Sequence, residues 1–195
     1  MSVDITKRRW GVGELKYAVI STGEVPLETL LSGGAGVEVF GATAEGIEFD
    51  PAPDIQEDEV DQELLPVQIF ASSFKPTLKT NLATGDADQV AIIAGYDQPT
   101  TVQIGGVDYS AVVGGAVSPK MLSLLLIVRN PHDPTKADLL YIPRAQVEPK
   151  PTFTYRKDGV RQQEVVFHVL PSEQSAFQVG GQKMGWMYVE GVAVS

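Results

Sequence analysis

The side chains able to do chemistry are few: two histidines, 25 carboxylates and no cysteine among 195 residues. Without thiols there is no disulfide, no cysteine-ligated zinc or iron–sulfur cluster and no thiol nucleophile. His132 sits in Asn130-Pro131-His132-Asp133-Pro134, a turn sequence that leaves it facing water. His168 lies in Glu164-Val165-Val166-Phe167-His168-Val169, where strand alternation sets it opposite Val165, Phe167 and Val169. A polar strand face accounts for it without catalysis. Carboxylates crowd Asp50 to Pro66, seven of them with three prolines. Acid–base catalysis needs a dry, rigid site that splits the pKa values of such groups, and a carboxylate-rich loop does not supply one.

The recognised motifs are missing as well. There is no G-x-x-x-x-G-K-[ST] and no G-x-S-x-G, and Gly11-Val12-Gly13 runs into Glu14 without a third glycine. Asp86-Ala87-Asp88 opens like a calcium loop but lacks its central Gly and final Glu, so it reads as a helix start. A Ser–His–Asp set assembled from distant positions stays open at this level. The expectation is a protein that is not an enzyme, with no cofactor and no metal.

The formal charge is −10, with 43% apolar residues and 32 Gly plus Pro. Those values suit one turn-rich domain that buries a core. The start, Met1 to Arg9, has no apolar run after its bases, and Leu124 to Val128 is too short to span a bilayer. A soluble protein without a secretory signal is expected. The acidic balance and the lack of a basic patch interleaved with aromatics disfavour nucleic-acid reading.

The charge is divided unevenly. Tyr17 to Phe74 contains no Lys or Arg and twelve acids, while the other 137 residues carry +2. Bases gather at Lys7, Arg8 and Arg9 and again at Arg144, Lys150, Arg156, Lys157 and Arg161. Such asymmetry bears on association rather than on fold.

The elements that would position these groups read mostly as strands. Ile47 and Phe49 alternate with Glu48 and Asp50, and Leu78, Thr80 and Leu82 alternate with Lys79 and Asn81. Leu122 to Val128 suits a strand covered on both faces. Leu139 to Ile142 is a further strand, stopped by Pro143, which cannot donate to a ladder. Phe153 and Tyr155 lead through Asp158-Gly159 to Val165, Phe167 and Val169, a hairpin signal, and Met184 to Val194 closes the chain as a strand. One helix is expected over Asp86 to Ala94, with Asp86 as N-cap, Gln89 completing a capping box and Gly95 as left-handed C-cap. A weaker one is expected over Pro26 to Leu31, before Gly33. Glycine pairs such as Gly105-Gly106 and Gly180-Gly181 are expected in turns. Asp50 to Pro66 reads as a loop or arm whose Ile55, Val60, Leu64 and Leu65 bury against another molecule.

In order, these elements resemble the major tail tube proteins of long-tailed (siphovirus-type) bacteriophages. The matching stretch is Glu38-Val39-Phe40-Gly41-Ala42-Thr43-Ala44-Glu45-Gly46-Ile47-Glu48-Phe49-Asp50, then the acidic arm, Phe74 to Thr80, the Asp86 to Ala94 helix and the run Leu139 to Leu170. The resemblance covers roughly 37–170 as an order of elements. It implies a mainly β fold, a β-sandwich or half-barrel with one short flanking helix. It implies a single domain over 1–195, with an N-terminal arm at about 1–36 and a long inter-subunit loop at about 50–66. It also implies a structural virion protein of the tail, assembled in the host cytoplasm. Homohexameric rings would stack into a tube and meet tape-measure, tail terminator and distal tail proteins, and DNA would pass through an acidic lumen on ejection. No membrane is involved, and the family has no catalytic residues to carry over.

Charge supports self-association independently, because an acidic arm and basic clusters on one chain are complementary between copies. Asp54, Glu57, Asp58, Glu59, Asp61 and Glu63 are expected to meet Lys7, Arg8 and Arg9, or Arg144, Arg156, Lys157 and Arg161, of a neighbour. Ile55, Leu64 and Leu65 would form the apolar centre of that contact. The alternatives are another phage structural β-sandwich (baseplate, neck or capsid decoration) and a monomeric ligand-binding sandwich.

Overall fold

The computed structural model describes residues 13–40, 43–51, 53–58, 68–82, 86–96, 99–115, 117–148, 152–154 and 162–194. In chain order the elements are β1 (Gly13–Val19), α1 (Leu27–Ser32), β2 (Val37–Val39), β3 (Thr43–Asp50), β4 (Pro53–Asp58), β5 (Gln68–Phe74) and β6 (Thr77–Leu82). Then follow α2 (Ala87–Ala94), β7 (Thr100–Ile104), β8 (Val107–Ala111), β9 (Met121–Asn130), β10 (Asp133–Val147), β11 (Thr152–Thr154) and β12 (Gln162–Val169). A 3-10 turn at Ser175–Phe177, β13 (Gln178–Val179), β14 (Gln182–Lys183) and β15 (Met187–Ala193) complete it. The fold is mainly β with two short helices.

Nine strands form one antiparallel sheet in the order β2-β1-β9-β10-β12-β6-β3, with β11 added on β12 and β15 on β10. β9 is an interior strand between β1 and β10. Leu122, Leu124 and Leu125 are fully buried because alternate residues point into apolar clusters on both faces of the sheet. One cluster gathers Leu15, Tyr17, Phe40, Leu124, Phe167 and the inward side of α2 through Ile92 and Ile93. The other gathers Leu30 of α1, Leu125, Ile127, Leu139, Tyr141 and Phe177.

Pro143 does not stop its strand. β10 continues to Val147, and its pairing with β9 shifts register between Ile142 and Ala145. The consequence is a change of parity. Leu140 and Ile142 face the first cluster at even positions, Ala145 and Val147 at odd ones. A bulge is one of the few interior positions where a residue without an N–H fits. Here it also separates partners: on the edge away from β9, the first part of β10 pairs with β15 and the last with β12. Ser123 braces the bulge, donating to the Pro143 carbonyl at 2.7 Å and accepting from the Val25 amide at 3.0 Å.

Both helices lie where they are expected. Asp86 caps α2 by accepting from the Gln89 amide at 2.9 Å, and Gly95 closes it with φ +69°. Only half of the capping box forms: the Gln89 side chain donates instead to the Val39 carbonyl at 3.1 Å, tying the helix to β2. α1 runs from Leu27 to Ser32 after Pro26 and ends at Gly33.

Of the span 1–36 expected as an N-terminal arm, the described part begins at Gly13. β1 is an interior strand between β2 and β9, and Leu30 of α1 is fully buried, so residues from Gly13 onward belong to the body of the sheet. The alternation of Leu15 and Tyr17 supplies the physical reason, since both fill the first cluster. The hairpin expected around Asp158-Gly159 is present in its strands, with Thr152 to Thr154 paired to Glu164 to Gln162. The turn itself lies outside the described residues.

Candidate interaction surfaces

The acidic segment is partly regular structure. Pro53–Asp58 is a strand, not loop, and pairs antiparallel with Gln68–Phe74 in a two-stranded sheet of its own. The register sets Ile55 opposite Ala71, Gln56 opposite Phe70 and Glu57 opposite Ile69, with a shift between Asp54 and Ile55. The acidic strand has low intrinsic β preference, and the Gln68-Ile69-Phe70 side supplies the β-forming residues. That run is the signal from which a hairpin was readable. Asp54, Ile55, Glu57 and Asp58 thus share one strand, while Glu59, Asp61, Glu63, Leu64 and Leu65 lie outside the described residues.

Of the basic partners, Lys7, Arg8, Arg9, Arg156, Lys157 and Arg161 also lie outside the described residues. Arg144 is placed at the β10 bulge. Its Nη1 is 3.7 Å from Glu173 Oε1 and its Nε donates to Met121 Sδ at 3.2 Å. Lys183 meets the other oxygen of Glu173 at 2.5 Å. The Lys183 hydrogen bond and charge, with Arg144 behind them, hold the Glu173 carboxyl below the usual carboxylate range. Arg144 is therefore engaged within its own chain while still one-third exposed, beside a cleft of about 450 Å³ lined by Ile20 to Glu24, Met121 and Glu173. Glu24 belongs to the framework of that cleft, accepting from Ser172 Oγ at 2.6 Å and from the Glu173 amide at 2.9 Å.

The outer face of the β3–β6–β12 region is acidic. Glu48 stands opposite Lys79, and Asn81 opposite Glu164. Glu48, Lys79 and Glu164 rim a depression of about 220 Å³. Further along the same face, exposed His168 has Nε2 3.3 Å from Glu148 Oε2. His168 is about half exposed and Glu148 about a quarter, so the pair lies at the surface of the strand face. His132 is exposed in the turn between β9 and β10, where its amide donates to Asn130 Oδ1 at 2.9 Å.

Among the described residues, no group of three or more His, Asp or Glu is placed to hold a metal ion. Among them, too, no helix is long and apolar enough to cross a membrane. Neither a protein-family model nor a curated protein matches the chain in sequence.

Proposed function

We propose that this chain is a structural subunit that assembles with copies of itself into the stacked hexameric rings of a long-tailed phage tail tube. The observation that carries the reading is the β4–β5 hairpin. It forms a sheet separate from the main one, and its first strand bears Asp54, Glu57 and Asp58 inside a stretch without a single Lys or Arg. A separate, single-sign hairpin suits a projection that seeks a basic partner, and the same sequence carries bases at Lys7–Arg9 and between Arg144 and Arg161 that could meet it in the next copy. Each exposed ion pair adds only about 0.2–1 kcal/mol, but a closed ring repeats the contact at every subunit.

The acidic outer sheet face supports the second part of the reading. Glu48, Glu148 and Glu164 outnumber Lys79 there. A wall of that sign suits a conduit for DNA, since a wall neutralising phosphates would retain the strand. In the tube, this face is the one turned to the lumen.

Negative-stain microscopy of the concentrated protein tests the reading. Long hollow filaments are expected. A protein that stays monomeric in sedimentation and shows no filaments at any concentration would overturn it in favour of a solitary binding domain.

A further inference from the structure

Arg144 sits in the β10 bulge beside Pro143 and lines the cleft of about 450 Å³ described above. Its backbone is fixed there, because its carbonyl accepts from the Leu170 amide at 2.9 Å. Its side chain is less fully used. A guanidinium carries several N–H donors in a planar fork. The one on Nε goes to Met121 Sδ, a weak acceptor. The Nη1 contact with Glu173 Oε1 is 3.7 Å, too long for a hydrogen bond. Among the described residues, then, no oxygen lies within hydrogen-bond distance of this guanidinium.

The two carboxylates of the cleft have partners of their own. Glu24 accepts from Ser172 Oγ and from the Glu173 amide, one bond on each oxygen, and so holds the Ile20 to Glu24 wall against the Ser172–Glu173 segment. Glu173 gives its other oxygen to Lys183. On the Ile20 to Glu24 wall, the Ser21, Thr22 and Gly23 amides and the Ser21 and Thr22 hydroxyls have no hydrogen-bond partner among the described residues. Ile20 and Met121 add apolar surface. A cleft of this size, with apolar lining and a few placed donors, has the usual make-up of a ligand site.

We propose that this cleft binds a single carboxylate on a short apolar stem, the carboxylate on the Arg144 fork and the stem against Ile20 and Met121. A planar carboxylate accepts two parallel N–H bonds from a guanidinium. Charge limits the ligand to one negative group. Arg144 is the one cation lining the cleft, and Glu24 and Glu173 stand close by, so a dianion meets more repulsion than a monoanion. An amine finds no open partner, since both carboxylates are already bonded within the chain. The carboxylate comes either on a free short-chain acid or as a glutamate side chain of another copy, and its chemistry is the same in both. The cleft belongs to one chain, so this binding does not depend on whether copies stack.

The test is a titration of the dilute, isotopically labelled monomer with hexanoate at neutral pH, followed through the Arg144 Nε–H and the Ser21 to Gly23 amide resonances. Saturable shifts of both are expected, with none from hexylamine or hexanol. Arg144→Lys keeps the charge and loses the fork, and is expected to weaken hexanoate about tenfold or more with an unchanged circular-dichroism spectrum. Lys136→Gln, at a base outside the cleft, should bind as the parent does. A parent chain without saturable shifts overturns the proposal whatever the variants do. So do equal shifts with hexanol, or binding that Arg144→Lys leaves unaltered. Repeating the titration where sedimentation shows association separates the two sources. Hexanoate excluded, with Arg144 already shifted as hexanoate shifts it, assigns the site to a neighbour's carboxylate; binding unchanged by association assigns it to a free acid. Micrographs of the same samples keep this site apart from the tube reading. Filaments from a chain that ignores hexanoate sink the cleft alone, and a hexanoate-binding chain that never forms filaments sinks the tube alone.

Discussion

Tyr17 and Glu38 stand directly opposite one another on β1 and β2, and the Tyr17 hydroxyl donates to Glu38 Oε2. The ring is almost wholly buried and stacks on Phe40 at 4.1 Å between centroids. Burial is the main cause that pushes its hydroxyl pKa far above 10.0. The bond to Glu38 and that carboxylate's charge come next, followed by the charges of Asp86 and Asp88.

Stability is therefore expected to fall as pH rises past 10.0. Above that value the unfolded chain releases the Tyr17 proton and the folded chain keeps it, so the unfolded state binds fewer protons and gains. The slope for one retained proton is about 1.4 kcal/mol per pH unit. Tyr141 adds to it in the same direction, burial being the main cause there too. Urea unfolding of Tyr17→Phe checks this. The variant should lose about 1 kcal/mol at neutral pH for the missing bond and show a shallower alkaline decline than the parent.

Ser123 joins three elements that are far apart in the chain. It is fully buried, and its hydroxyl serves both the Val25 amide and the Pro143 carbonyl. Ser123→Ala strands both groups, so a loss of about 1–3 kcal/mol is expected, read as a lowered urea midpoint.

The cap on α2 gives a smaller, separable effect. Asp86→Ala should cost about 1 kcal/mol, while Asp86→Asn keeps an oxygen for the Gln89 amide and should cost much less. Thermal unfolding of the two variants beside the parent is the measurement.

Reversing Glu57, Asp58 and Glu59 to Lys leaves the main sheet untouched, because β4 pairs with β5 alone among the described strands. The expected outcome is a folded protein that no longer forms filaments. Micrographs showing the parental filament yield would count against the acidic hairpin as the docking element.

Much of the secondary structure was legible in local pattern. Leu78, Thr80 and Leu82 are all buried, as their alternation with Lys79 and Asn81 predicts, and Val165, Phe167 and Val169 are buried opposite exposed His168. Asp86 and Gly95 cap their helix as their types require. The candidate interface was legible only as charge. Its acids read as a loop because Asp54 to Asp58 are poor strand formers, and only pairing with Gln68–Phe74 makes them a strand. The amphipathic β7–β8 hairpin left its glycine pair as a clue, yet the exposure of Val102, Ile104, Val107 and Tyr109 is visible only in the folded chain.

By itself, then, the order of residues determined period, caps, turns and the separation of charge, because those depend on groups within a few positions of one another. Tertiary structure alone decided that Gly13–Val19 is an interior strand, by pairing it with residues more than a hundred positions later. It alone decided that Pro143 marks a bulge and not an end, because a missing amide is harmless where the strand shifts register and changes partner. Register is a choice among distant edges, settled by which side chains fill a shared core, and no local preference contains that information.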